Sequence, residues 1–269
     1  MDTKNETWMY HINPTLKLFV MLVVFILLLL IHNPTTLLNV TLLLFLLFML
    51  FNGYKIRIVL LLLLPFLLIF ISTSSAMIMF GKGDTTWVKW GLIHITEESF
   101  YRGIHIGIRA LSFGLIGLLF SLTTKPVTLF YSLMQQAKLS PKYAYSFLAG
   151  YRLIPIMLEE FQVIHRAMKV RGIRRQKGWS GMVLKLKAYT IPLLAQSIRR
   201  AFRIGVAMEA KQFSSETKRT YYYKIGFSKH DLYFVCIMTL ILTSAYLLSL
   251  QFPYIPIQDV RYEAATLTL

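Results

Sequence analysis

The chain has 269 residues, 56% of them hydrophobic, with a mean hydropathy of +0.57, a formal net charge of +17 and a pI near 10.0. It is too apolar for a soluble domain of its length and belongs in a membrane. Its positive charge follows the flanks of apolar segments and no nucleic-acid-binding fold is recognisable, so nucleic acid is excluded as a partner.

The first apolar run, Leu16 to Ile31, is short for a membrane span and is expected to start at or near Pro14, where the missing N–H costs nothing. Lys17 interrupts it and is expected to snorkel to the headgroups. A turn at His32-Asn33-Pro34-Thr35 leads into the second run, Thr36 to Phe51, making an antiparallel hairpin. The next turn, Asn52 to Arg57, carries Lys55 and Arg57 and is expected to be cytoplasmic. The third run, Ile58 to Phe80, holds Pro65 and the polar patch Ser72-Thr73-Ser74-Ser75, which favours a kinked, internally packed helix.

Gly81 to Phe100 is mixed, with Trp87 and Trp90 where interface aromatics would lie, and is expected outside. The fourth span, about Ile104 to Thr124, carries Gly103, Gly107, Ala110, Gly114 and Gly117 at helical spacing. That stripe admits close approach of another helix, either of this chain or of a partner. Arg109 falls within the span, as a functional charge or as one that snorkels outward. The fifth span is Leu232 to Leu250. Its Cys236 is the lone cysteine, so one chain can form neither a disulfide framework nor a thiolate zinc site.

Residues 125 to 229 hold twenty of the 29 Lys and Arg but only four acids, Glu159, Glu160, Glu209 and Glu216, which marks this segment as cytoplasmic. The organisation expected is a four-helix transmembrane region at 1–124, a cytoplasmic coupling-helix region at 125–230, a final transmembrane helix at 231–252 and an external tail at 253–269. The fold class is an all-α integral membrane protein of about five transmembrane helices with a cytoplasmic helical insert carrying two long amphipathic helices. The N-terminus is then cytoplasmic and the C-terminus external.

Within the insert, Thr128 to Gln136 reads as a short helix and Tyr143 to Gly150 as the start of another, with Pro155 opening the next stretch. Met157, Phe161, Ile164 and Met168 then recur on one helical face, which Arg171 continues before Gly172. A second stretch has Pro192 near its start and Leu194, Ile198, Ala201, Gly205 and Met208 on one face, with Lys211 three residues on. Two phrases thus echo each other: Ala167-Met168-Lys169-Val170-Arg171-Gly172 and Ala207-Met208-Glu209-Ala210-Lys211-Gln212. Basic amphipathic helices can lie on anionic lipid; a phrase that occurs twice with a cation at the same place favours docking on a cytoplasmic protein.

Other chemistry finds little support. The six histidines show no metal-ligand spacing, and neither a Gly-x-Ser-x-Gly elbow nor a Walker loop is present. Glu159 and Glu160 diverge by about 100 degrees on a helix and cannot face one substrate together. They are expected to be solvated or to pair with nearby cations such as Arg166. A polytopic membrane enzyme and a self-sufficient transporter remain the rival classes.

These residues resemble the transmembrane T component (EcfT/CbiQ-like) of energy-coupling factor transporters, ABC-type importers of vitamins and metal ions. The resemblance rests on Asn13-Pro14-Thr15-Leu16-Lys17-Leu18, on Thr123-Thr124-Lys125-Pro126 followed by Leu129, on Arg152-Leu153-Ile154-Pro155 with Glu159-Glu160, and on Ala207 to Ala210 followed by Arg219-Thr220 and Asp231. It implies a non-catalytic scaffold in the cell membrane that couples two cytoplasmic ABC ATPases to a small substrate-binding membrane S component. The scaffold itself holds no cofactor and no metal; ATP is bound by the partner subunits. Each coupling helix of that family ends in an Ala-Arg-Gly-like motif, which corresponds here to Val170-Arg171-Gly172 and Ala210-Lys211-Gln212, supported by Glu159, Glu160, Met168, Met208 and Glu209. Two departures stand out. Val170 replaces the usual Ala, and Lys211-Gln212 replaces Arg-Gly, losing the planar guanidinium fork and glycine's conformational freedom.

Overall fold

The computed structural model describes residues 7–81, 83, 85–90, 93–171, 178–213, 220–255 and 259–260. A 3-10 turn at Trp8–Tyr10 precedes α1 (Pro14–Leu30), α2 (Pro34–Phe51) and α3 (Ile56–Phe80). A hairpin of β1 (Thr86–Trp90) and β2 (Ile93–Thr96) leads into α4 (Glu97–Thr123), α5 (Pro126–Gln136), α6 (Pro141–Val170), α7 (Trp179–Ala210) and α8 (Lys229–Gln251). The chain divides into two compact units, Met1–Ser132 with Ile225–Leu269, and Leu133–Lys224.

The first unit is an all-α membrane bundle. Four of its helices, α2, α3, α4 and α8, are long and apolar enough to cross a bilayer. Helix α1 is equally apolar but has 17 residues, a rise of about 26 Å against a hydrocarbon core of about 30 Å. The first two helices begin alike. Asn13 and Asn33 each turn a side-chain oxygen onto the N–H two residues on, at 3.1 and 2.9 Å, and each precedes a proline at the first helical position.

Helices α2 and α4 form the centre. Leu28, Leu37, Val40, Phe48, Leu115, Leu119 and Phe234 are buried between them and their neighbours α1 and α8. Hydroxyl pairs stitch the same surfaces: Thr41 with Ser112 at 2.6 Å between α2 and α4, and Thr36 donating to Ser249 at 2.8 Å between α2 and α8. In a bilayer such bonds contribute about 0.6 kcal/mol each.

Gly103, Gly107 and Gly114 of the α4 stripe are covered within the chain. A Cβ on Gly114 would meet the Phe66 ring at 2.2 Å, and one on Gly103 would meet Ile78 at 2.6 Å, so α3 lies directly on the stripe. Gly117 faces open space. Helix α3 otherwise differs from expectation. Only 11% of its apolar window is buried, against 56% for α2, so it is a peripheral helix and not an internal one. Its hydroxyls are satisfied locally, Thr73 on the Ile69 carbonyl at 2.8 Å and Ser75 on that of Ser72 at 3.1 Å, while Ser74 is buried.

The mixed segment before the fourth span contains the β hairpin, antiparallel with Thr86 opposite Thr96 and Val88 opposite Ile95. Helix α4 starts earlier than expected because Thr96 and Ser99 form a reciprocal capping box ahead of Glu97 and Glu98.

In the second unit α6 and α7 are each continuous. Pro155 and Pro192, expected to open helices, lie inside them. The helices run antiparallel, since Tyr189 contacts His165, Ser197 contacts Met157, and Phe213 beyond the end of α7 stacks edge-on against Tyr145 near the start of α6.

Candidate functional site

Two constellations carry the residues singled out in the sequence. The first is a buried polar knot at one end of the membrane bundle. Asn13 is its hub: its N–H donates to Asp231 Oδ1 at 2.7 Å, its Nδ2 to the Gly226 carbonyl at 3.3 Å, and its Oδ1 accepts from Ser132 Oγ at 2.8 Å. The Thr15 hydroxyl shares a 2.6 Å hydrogen bond with Ser132 Oγ. Asp231 Oδ2 also accepts from the Ser228 N–H at 2.7 Å in the capping box of α8.

Lys17 completes the knot and does not snorkel. It is 1% exposed, and its ammonium donates to the carbonyls of Met9 and Thr123 at 3.2 and 3.1 Å and to the Thr123 hydroxyl. The carbonyls at a helix C-terminus have no partner within the helix, so a cation placed there both fills them and meets the negative end of the dipole. The knot therefore ties the chain where it leaves the bundle, at Thr123 to Ser132, to the point where it returns, at Gly226 to Asp231.

Arg109 plays the same part at the opposite end. Its Nη2 lies 2.7 Å from the Ile31 carbonyl at the C-cap of α1 and 2.7 Å from His105 Nε2. The guanidinium is thus held at the end of the first helix. The chain beyond α8 returns to this end too, with Arg102 Nε donating to the Val260 carbonyl at 3.1 Å.

The second constellation is the paired helix ends. Val170 and Ala210 are the last residues of α6 and α7, and Arg171 and Lys211 both occupy the C-cap, their N–H groups bonded to the Ala167 and Ala207 carbonyls at 3.1 and 3.3 Å. The repeated phrase is thus a repeated structure. Val170 is 89% exposed, and Arg171 and Lys211 are exposed. Gly172 lies outside the described residues.

At the second end the stop is complete. The Gln212 N–H reaches the Glu209 carbonyl at 2.8 Å and the Phe213 N–H that of Met208 at 3.0 Å, the two bonds of a Schellman motif. Gln212 sits at φ 54, in the left-handed region that favours glycine.

Because α6 and α7 are antiparallel, these two ends point in opposite directions. Arg171 lies 26 residues along α6 from Tyr145, where Phe213 packs, so the ends are about 40 Å apart at 1.5 Å per residue. Between them the helices are held by Glu160, whose Oε1 forms an ion pair with Arg200, and by His165 Nδ1 at 3.1 Å from Tyr189 Oη. Glu160 thus pairs with a cation of α7 and not with Arg166, which bonds the Gln162 carbonyl. Glu159 is exposed, as is Glu209; Met168 is buried and Met208 half-buried.

The expected apolar face of α7 is not the packed one. Leu194 and Ile198 are exposed, as are Phe161 and Leu158 of α6, while Tyr189, Leu193, Ser197 and Arg200 meet α6 or sit half-buried. Sequence reasoning found Lys17 and Glu160 but missed their partners Thr123 and Arg200 as pairs. Thr123 carried a signal, since it opens one of the quoted motifs; Arg200 carried none beyond its charge.

Five apolar helices around buried polar caps, with a basic antiparallel helix pair inserted in sequence between the fourth and fifth, define an all-α multi-pass membrane protein. The chain belongs to the CbiQ family, described as cobalt transport protein, whose model matches residues 5–222. It is similar to the energy-coupling factor transporter transmembrane proteins EcfT of Macrococcus caseolyticus, at 26% identity over 84% of this chain and 88% of that protein, and of Staphylococcus aureus, at 27% over 84% and 87%. That of Brevibacillus brevis is 28% identical over 84% and 88%.

Proposed function

We propose that the chain is the transmembrane scaffold of an energy-coupling factor importer, which moves vitamins or transition-metal ions into the cell. Arg171 and Lys211 each dock on one of two cytoplasmic ABC ATPases, and Val170, Gly172, Ala210 and Gln212 shape the two contacts. The observation that carries this reading is the pair of exposed C-cap cations at equivalent positions on oppositely directed helix ends. Two ends about 40 Å apart suit two separate bodies. A single ligand pocket would need them together.

Closure of the ATPases on ATP then moves the two helix ends relative to each other, a rearrangement that needs differential contacts in two states. The Glu160–Arg200 ion pair and the His165–Tyr189 hydrogen bond join α6 and α7 between their ends, where they hold the crossing about which the ends move. Their exposed apolar faces, Leu158 and Phe161 on one and Leu194 and Ile198 on the other, meet the small substrate-binding membrane subunit. The scaffold performs no catalysis and holds no cofactor of its own.

In this reading the knot end of the bundle faces the cytoplasm, which puts the N-terminus inside and the C-terminus outside the cell membrane. Lys55 and Arg57 flank the turn at that end, as the positive-inside bias requires. Co-purification of ATPases with the wild-type chain and with R171E and K211E variants, beside uptake assays, tests the docking. Retention of both functions in both variants contradicts it.

A further inference from the structure

We propose that the cleft between the N-terminal turn, the end of α2 and the start of α8 is a binding site for a phospholipid, with one acyl chain in an apolar groove and an anionic headgroup at its polar rim. The groove, about 410 Å³, is lined by Trp8, Phe51, Tyr233, Cys236, Ile237 and Leu240 and offers almost no hydrogen-bonding surface. Within the lining Trp8 packs edge-on against Phe51, with ring centroids 5.5 Å apart. Tyr233, Cys236 and Leu240 are exposed on the outer face of a span-length helix, so the medium that reaches the groove in a membrane is lipid.

The rim supplies the complementary chemistry. His230 lines the cleft and lies 6.4 Å from the Trp8 ring and 6.2 Å from that of His11, and Lys229 precedes it at the first position of α8; all three polar side chains are exposed. An indole beside imidazoles and an ammonium is the composition of a membrane interface that meets phosphate. Opposing charge is absent among the described residues at this end. Asp231 is 3% exposed and its carboxylate is engaged by the Asn13 and Ser228 N–H groups, while Glu97, Glu98 and Asp259 belong to the other end of the bundle. An acyl chain needs no hydrogen-bonding partner, which matches this lining.

The test uses the full chain in nanodiscs of phosphatidylglycerol and phosphatidylcholine, with a trace of phosphatidylglycerol carrying a diazirine midway along one acyl chain. After irradiation, crosslinks are mapped by mass spectrometry. Labelling concentrates on the peptides carrying Tyr233 to Leu240 and Phe51, relative to the exposed face of α3. Ile237→Trp, which fills the groove, abolishes that excess, and Leu247→Trp, which puts the same ring on the exposed face of α8 away from the groove, retains it. Lys229→Gln lowers the preference for phosphatidylglycerol over phosphatidylcholine about fivefold. The labelling of α3 stays constant in every variant and reports an intact bundle. Equal labelling of α3 and α8, or an excess unaffected by Ile237→Trp, overturns the proposal. The site stands independently of the ATPase docking proposed above: R171E is expected to leave the lipid labelling unchanged.

Discussion

Lys17 Nζ donates to the carbonyl oxygen of Thr123, 106 residues away, at 3.1 Å. A lysine near the start of the first apolar helix thereby caps the end of the fourth, and both are buried. The bond closes the bundle at the point where the chain departs into the insert.

Replacing Lys17 by Met keeps the length of the stem and removes the donor. The Met9 and Thr123 carbonyls are then buried without a partner, which costs about 1–3 kcal/mol. A lower thermal midpoint for the purified chain in detergent checks this, with Lys17→Arg losing less than Lys17→Met. A Lys17→Met chain as stable as wild type would place the lysine outside the bundle's energetics.

Gly114 accommodates the Phe66 ring, and Gly117 three residues on faces nothing. Gly114→Leu forces α3 away from α4 and costs about 1–3 kcal/mol or more. Gly117→Leu changes little. Paired thermal unfolding of the two variants separates a packing stripe within the chain from one that serves a partner.

Glu160 and Arg200 are coupled across α6 and α7. Both side chains retain some exposure, which limits the pair to about 1 kcal/mol. Glu160→Arg and Arg200→Glu each weaken the helix pair through like charges, and the double exchange restores it. Uptake by the assembled transporter reports this, falling in each single variant and recovering in the swap.

Gln212 adopts the left-handed conformation at the C′ position of a complete Schellman motif. Gln212→Gly relieves about 1 kcal/mol of backbone strain. Amide exchange at Lys211, Gln212 and Phe213 then slows about fivefold. Unchanged exchange would mean that the left-handed turn costs nothing at this end.

The helices themselves were legible because apolar runs and Asn-Pro starts are local signals: α1 begins at the expected Pro14 and α8 covers the expected Leu232 to Leu250. The β hairpin was not, since Trp87 and Trp90 serve equally as interface aromatics and as strand residues. Lys17 was misread because snorkelling depends on the helix alone, whereas its actual partner lies 106 residues on. Pro155 and Pro192 were misread for the opposite reason. A local rule places proline at helix starts, and here tertiary pairing across α6 and α7 carries both helices through it. The resemblance at Asn13, Thr123 and Asp231 had a physical content that spacing could not show, namely one hydrogen-bonded knot. Of the candidate docking residues, Arg171 and Lys211 were legible as equivalent, but their opposite directions required the antiparallel pairing.

In the proposed function the two C-cap cations are separate contacts to two ATPase subunits. Quantitative co-purification of ATPases with wild-type, R171E, K211E and doubly substituted chains from the same membranes tests it most directly. Reduced recovery in each single variant and loss in the double variant is the expected result. Wild-type recovery of ATPase with the double variant would contradict it.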